Sequence, residues 1–486
     1  MKFFSYLFTL LATVALVVNT NAQVYVAKIH KGPKIGLLGT NGKPIVAPKF
    51  ESIIIINDEQ AIVSNDGNYG IISPKTGVEI LPLKYEEINL SSDRTGTYKI
   101  SGKYGVLDAN SKPVGEAEYE KIEASSGELK PAKKLGKWGF VNKAGKLIIP
   151  ATYEFARPFT DGLACVNKGG KPLGDNGVQG GKWGYLDQTG KLVIPANYDD
   201  ANPFADKLAI VKSMGKYGYL GTNGKMVISA QFKSAAPFNS EGFAQVEKGS
   251  GGYGLIDKTG KLITGTNSYD AFNSGFVNDL MIVTKGKKVG FMNRTGKLVI
   301  PAVYDDAKPF AEGLAAVKKG LKWGFIDPTG KMVVPAIFFE ASSFYNGLAL
   351  MNVNGKWGMT DQTNKPVLKP EYDFIQFDYQ EKVGTLSKDG KSGFVNDKGV
   401  VYIKLIYNGA HGFQGGLAGV QQGAKWGFIN SSGAMVIKPA YDEVRDFSQG
   451  LAAVNKAGKW GFIDTTGKII APLIYEDAEQ FISPSK

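Results

Sequence analysis

Apolar residues along the chain fall into short runs of two textures. Gly313-Leu314-Ala315-Ala316-Val317 and Gly450-Leu451-Ala452-Ala453-Val454 are continuous, small and β-branched, the composition of buried strands. A few polar residues later, runs such as Lys322-Trp323-Gly324-Phe325-Ile326-Asp327 alternate. The period of two puts Trp323 and Phe325 on one face and Ile326 on the other, while Gly324 leaves room for a neighbouring backbone. A third run, Lys191-Leu192-Val193-Ile194-Pro195, ends in a proline that cannot donate to a ladder.

Between the second and third runs stands Asp327-Pro328-Thr329-Gly330-Lys331. Asp can accept a hydrogen bond from the amide two residues on, and Gly can take positive φ, so a tight hairpin is expected. Asp or Asn fills the first position in ten of thirteen copies, Asp108, Asn142, Asp187, Asp257, Asn293 and Asp464 among them. After the proline comes Tyr304-Asp305-Asp306-Ala307-Lys308-Pro309-Phe310, read as a linker to the next unit. Each unit is thereby expected to hold three strands.

The glycine of the alternating run, in most copies preceded by Trp or Tyr, recurs at Gly36, Gly70, Gly105, Gly139, Gly184, Gly218, Gly254, Gly290, Gly324, Gly358, Gly393, Gly427 and Gly461. Successive intervals are 34, 35, 34, 45, 34, 36, 36, 34, 34, 35, 34 and 34 residues. A period near 34 defines a tandem array whose units contact chiefly their neighbours. The expected fold is all-β, with thirteen three-stranded units stacked over residues 23–486 into an elongated or superhelical array. A propeller-like closed ring is the alternative, disfavoured because thirteen blades exceed the usual range of about four to eight. The array opens at Val24-Tyr25-Val26-Ala27 and ends within Tyr475 to Phe481, so whole units fit. The first unit, with Ile35 and Gly39 in place of Trp and Asp, reads as a cap.

The consensus Gly-Lys-Trp-Gly-Phe-Ile-Asp-x-Thr-Gly-Lys resembles the WG repeat, also called the KWG repeat, of bacterial, often exported, proteins. The resemblance covers nearly the whole chain beyond residue 22. It implies a β-rich repeat array of unassigned function and brings no catalytic residues with it.

Residues 1–22 place Lys2 before an apolar run from Phe3 to Val18 and then Asn19-Thr20-Asn21-Ala22. This is the layout of a secretory signal peptide, with cleavage expected after Ala22; an uncleaved membrane anchor is the competing reading. No later stretch is long enough to span a bilayer. A secreted, periplasmic or cell-surface location is expected, with no membrane span in the mature chain.

The net charge of +12 invites polyanions. All the basic residues but Arg94, Arg157, Arg294 and Arg445 are lysines, so the guanidinium fork that reads phosphates and guanine edges is nearly absent and nucleic acid is not an expected partner. Lysines recur before the Trp (Lys137, Lys182, Lys322, Lys356, Lys425, Lys459) and after the turn glycine (Lys146, Lys191, Lys261, Lys297, Lys331, Lys468). They either solvate strand edges or form a stripe for an acidic glycan or other envelope polymer.

Two histidines, His30 and His411, and one cysteine, Cys165, leave no spacing suited to a transition metal, and no cofactor is expected. Cys165 occupies an alanine position of a buried strand and reads as inert. The carboxylate pairs Glu86-Glu87, Asp199-Asp200, Asp305-Asp306 and Asp442-Glu443 tempt a glycosidase reading, but they share one repeat phase directly after a tyrosine, which favours a role in folding or in a multivalent surface. The insertion Lys168 to Gly181 produces the interval of 45 and is either a tolerated loop or a grafted site. The expected function is a non-catalytic scaffold or binding module of the bacterial envelope, its ligand a polymer or a protein. The alternative is an enzyme acting on envelope polysaccharide.

Overall fold

A computed structural model describes residues 25–483 apart from 92, 124, 126, 175–176, 250–251 and 266–267. The proposed signal peptide lies outside the described residues. Among the described residues every regular element is a β-strand, and no helix is long and apolar enough to cross a membrane.

Each unit makes one antiparallel sheet. In the ninth, the strands Ala315–Lys319, Lys322–Ile326 and Met332–Phe338 are the three that the hydrophobic pattern predicts. A fourth, Asp306–Ala307, pairs in front of them through Asp306 with Lys318 and Ala307 with Val317. The supposed linker is therefore a strand, and the expectation of three strands per unit is corrected to four. Twelve sheets have this form, and the seventh shows three strands among the described residues.

The array is also closed. Asp477–Ala478, cut from the last unit, pairs with Val26–Lys31 through Ile29 with Ala478 and His30 with Asp477. It thereby completes the first sheet, whose other strands are Lys34–Gly39 and Pro44–Phe50. One apolar cluster then joins the two ends of the chain through Ala27, Ile29, Leu38, Trp460, Phe462 and Phe481. The elongated array gives way to the propeller-like ring of thirteen sheets. The first unit is not a cap, because a ring has no end to protect.

Packing between sheets follows the predicted faces. Trp323 and Phe325 enter a cluster with Phe338, Ala341, Phe344 and Met351 towards the tenth sheet, while Ile326 packs with Phe291, Ile300 and Phe310 towards the eighth. At eight junctions a Phe at or just after the first strand reaches back onto the aromatic after the glycine in the preceding sheet. Phe325 and Phe344 have ring centroids 4.6 Å apart, and equivalent pairs join Phe140 to Phe159, Tyr185 to Phe204, Tyr219 to Phe238, Phe291 to Phe310, Phe394 to Phe413, Phe428 to Phe447 and Phe462 to Phe481. Tilted and edge-to-face rings at this spacing are the favoured arrangement, so each pair pins two neighbouring sheets.

The third and fourth strands are out of step by two residues. Trp323 pairs with Phe338 but Phe325 with Val334, so the fourth strand bulges outward opposite Gly324. The bulge brings backbone against the glycine itself: a Cβ at Gly324 would lie 2.6 Å from the Val334 carbonyl oxygen and 2.7 Å from the Ala336 nitrogen. This close approach is why the aromatic is followed by glycine.

Candidate functional site

The hairpin between the third and fourth strands is held as its sequence suggests, and by one bond more. Asp327 Oδ1 accepts from Thr329 N, from the Thr329 hydroxyl and from Lys331 N. The two backbone bonds recur at Asp108, Asn142, Asp187, Asp257, Asn293, Asp361, Asn396, Asn430 and Asp464. The second of these bonds fixes the backbone of the residue after the turn, a lysine at Lys112, Lys146, Lys191, Lys261, Lys297, Lys331, Lys365 and Lys468; at Lys43 and Lys225, where glycine opens the turn, the amide donates to Asn41 Oδ1 and Asn223 Oδ1 instead. All ten are exposed, and none makes an ion pair among the described residues.

The lysines that precede the aromatic behave differently. Lys182 pairs with Asp199 at 2.6 Å and Lys137 with Glu154 at 2.9 Å. Lys288 with Asp305, Lys356 with Asp373 and Lys425 with Asp442 are equivalent. Lys322 has Phe339 at the acidic position and lies over its ring, 3.0 Å from the centroid. The carboxylate that meets each lysine also accepts from the backbone of the next sheet's second hairpin, as Asp199 does from Gly215 N at 3.0 Å and Asp305 from Gly320 N at 2.7 Å. The first members of the tempting pairs are thus joints between sheets. The second members turn to nearby groups: Asp200 and Asp306 accept from the amides of Ala201 and Ala307, and Glu87 accepts from the Tyr104 hydroxyl at 2.6 Å.

In a four-stranded antiparallel sheet the first–second and third–fourth connections share one end, so the ten lysines lie on one face of the ring. Acidic groups of the first–second loops lie there too, and most of them are engaged, Glu381 being an exception. Glu312 accepts from the amides of Asn346 and Gly347, Asp161 from Lys207 N and Glu241 from Phe276 N. Asp58 and Glu59 meet Lys75, and Asp93 meets Lys143. The lysines that follow the turn make no ion pair on that face among the described residues, although Asp187, Asp257, Asp327, Asp361 and Asp464 of the turns lie close enough to feel their charge.

The joints make stability depend on acid. Hydrogen bonding from Lys288 holds the Asp305 carboxyl below its ordinary value of 3.8, Lys182 does the same for Asp199, and the Thr329 hydroxyl does so for Asp327. A carboxyl depressed in the folded state contributes stability above its unfolded pKa and loses it as pH falls through the folded one. The melting temperature is expected to be flat above about pH 5 and to drop as pH is lowered below about 4. Changing Asp187, Asp257, Asp327 and Asp464 to Asn should make the fall shallower with the turns intact, since Asn142 and Asn293 already hold them. An equally steep fall in that variant would assign the acid sensitivity to other groups.

Neither histidine sits in a turn. His30 lies on the strand Val26–Lys31, 3.5 Å from Glu479 across the ring closure. His411 lies on Gly409–Gln414, its Nδ1 2.8 Å from Asp446 Oδ1 and its ring 4.6 Å from that of Trp426. Cys165 is fully buried, and burial pushes its thiol up to about 12, which suits an inert side chain. No cluster of three or more His, Cys, Asp or Glu side chains placed to hold a metal occurs among the described residues.

The insertion folds as a small hairpin, Lys171–Pro172 with Val178–Gln179, tied at its base by Asn167, whose side chain donates to Gly180 O and accepts from Gly170 N. It walls a slot of about 840 Å³ between the fifth and sixth sheets. The corresponding slot between the ninth and tenth sheets, lined by Lys308, Trp323, Glu340 and Trp357, has about 420 Å³. Only the chain interval of 45 signals the larger slot in the sequence; that Arg157 and Asp200 both line it could not be read from it.

The family model described as WG containing repeat matches residues 35–69, 138–171, 183–217, 217–251, 290–323, 323–357, 357–391, 393–426, 426–460 and 460–483. No curated protein matches the chain. Among solved structures, a eukaryotic initiation factor aligns over 78% of this chain and 95% of its own at 11% identity and a TM-score of 0.29. Hsv2p of Kluyveromyces lactis aligns over 47% of this chain and 91% of its own at 11% identity and 0.24. PorZ, a surface component of the type-IX secretion system of Porphyromonas gingivalis, aligns over 93% of this chain and 81% of its own at 9% identity and 0.22. At such scores neither residues nor roles carry over.

Proposed function

The chain belongs to the WG-containing-repeat family, and from that premise we propose that it is an exported, non-catalytic binding module of the bacterial envelope or exterior whose partner is an anionic polymer. The observation that carries this reading is the set of ten exposed, unpaired lysines on one face of a closed ring. One lysine is a weak contact for a carboxylate or sulfate in water. Repetition at fixed spacing lets a polymer engage several at once, each contact raising the effective concentration of the next. Ring closure supports the reading further, because it keeps the lysines on one face in a row interrupted only at the second, eleventh and twelfth sheets, where Val78, Val400 and Ala434 follow the turn. Export rests on the arrangement of residues 1–22, with cleavage after Ala22.

Binding should be graded and sensitive to salt. On immobilised dextran sulfate and polygalacturonate the protein is expected to be retained at low ionic strength and released as salt screens the exposed charges. Changing Lys191, Lys261, Lys297, Lys331 and Lys468 to Gln should lower the salt needed for elution well below that of the parent. Changing Lys331 alone should shift it only slightly. Elution unaltered by the fivefold change, or abolished by the single one, would refute a distributed lysine track.

A further inference from the structure

The ring repeats one slot between neighbouring sheets on the face opposite the lysine track, and one copy has been rebuilt. Between the ninth and tenth sheets it is formed by Lys308, Trp323, Glu340 and Trp357. Between the fifth and sixth sheets the same positions are Arg157, Trp183, Asp200 and Tyr217, and the cavity is twice as large. Its added wall is the inserted hairpin, through Val178, Gln179 and Gly180, and Glu123 enters from the fourth sheet. No other repeat carries an insertion of this length. The volume of about 840 Å³ falls in the range of small-molecule sites, about 300–1,000 Å³.

Most of the slot's frame is committed to folding. Arg157 lies over the Trp183 ring, 4.7 Å from its centroid, and donates to Ala201 O at 2.7 Å and Asn202 Oδ1 at 3.0 Å. Asp199 is held by Lys182. Other polar groups are not spent. The Glu123 carboxyl has no hydrogen bond among the described residues, and burial raises its pKa. Asp200 uses Oδ1 on Ala201 N, and no partner meets its other oxygen among the described residues. Lys212 makes no ion pair there, its ammonium lying over the Tyr217 ring at 5.2 Å from the centroid.

Acceptors (Asp200 and Glu123) and donors (Lys212 and the Gln179 amide) thus line one slot together with Phe155 and Tyr217. An anionic ligand would meet Asp200, and a cationic one Arg157 and Lys212. A hydroxyl group donates and accepts at once, so a ligand bearing adjacent hydroxyls can satisfy both sets, while its C–H faces lie against the rings. We propose that this slot is a saccharide-binding site for a short, uncharged oligosaccharide, separate from the lysine track.

The test uses the full chain titrated calorimetrically with maltotriose, cellotriose and chitotriose, and with triglutamate as an anionic control. At least one trisaccharide is expected to bind with one site per chain. Asp200→Asn should weaken it by about tenfold or more, since a hydrogen bond to a charged acceptor is lost. Replacing residues 169–181 by Ala-Gly, the connector present at Ala457-Gly458, should abolish it. Glu340→Gln, in the unmodified slot, should leave it unchanged. Retention on dextran sulfate reports the lysine track separately, so loss of saccharide binding with retention intact identifies a folded ring lacking only this site. If the hairpin replacement does not fold, Asp200→Asn carries the test. No titration by any of the three sugars at millimolar concentration, binding by triglutamate alone, or binding indifferent to Asp200→Asn would overturn the proposal.

Discussion

Deletion of residues 477–486 is expected to open the ring and destabilise the whole molecule, not merely its last unit. The segment supplies the strand Asp477–Ala478 to the first sheet, and its backbone continues the seam through Glu479 N to Lys28 O at 2.8 Å and Ile482 N to Val26 O at 2.9 Å. It also seats Phe481 on Phe462, with centroids 5.1 Å apart, and brings Asp477 to Arg445 at 2.8 Å. Loss of the Phe481 side chain alone should cost about 3–5 kcal/mol, the range for a large buried aromatic. An open array would register the loss only locally, since its units act through nearest neighbours. In a ring the cut exposes the apolar sides of the first and thirteenth sheets together. Urea unfolding should therefore begin at lower denaturant, and small-angle scattering should show a larger radius before the main transition. A truncated chain with unchanged scattering and midpoint would mean that the termini are not joined in solution.

How far the sequence announced this architecture depends on the length scale of each signal. Residues that act on their immediate neighbours were legible: the Asp327 turn, the opposed faces of Phe325 and Ile326, and burial of Cys165 all follow from local pattern. The strand Asp306–Ala307 was not, because two residues cannot display a period and its partner is fixed by register with Lys318 and Val317. Closure depends on Ile29 meeting Ala478, a contact no local pattern encodes. Its trace was the phase of the array, which starts on a second strand and stops just after a first one. That phase fits whole units in an open stack as well as in a ring, so local pattern does not distinguish the two. The candidate site divided in the same way. The lysine row was visible, but that the lysines before the aromatic are consumed by Asp199, Asp305 and Asp442 emerges only when consecutive sheets are placed side by side.

The other large effect is expected from adding a single methyl group at the repeated glycine. Gly324 has ordinary strand geometry, so conformational preference does not demand glycine there; the opposing bulge does. A Cβ would sit 2.6 Å from Val334 O and 2.7 Å from Ala336 N, distances at which backbone atoms, not a side-chain end, would have to move. Overpacking typically costs about 1–3 kcal/mol and occasionally more, and Gly324→Ala should lie at or above the top of that range. Gly313→Ala is the instructive comparison. Gly313 has φ +86 with open space around its missing Cβ, so its substitution should cost only the left-handed penalty of about 1–2 kcal/mol. The order of the two losses, measured by urea denaturation at equal m-value, separates steric exclusion from backbone conformation. It also bears on the repeat as a whole, since a Cβ at Gly184, Gly218 or Gly393 would meet a carbonyl oxygen at the same 2.6 Å. If Gly324→Ala were tolerated within about 0.5 kcal/mol, the level of an ordinary surface change, the bulge would have to be shallower than described, and the pairing of Trp323 with Phe338 alongside Phe325 with Val334 would need revision.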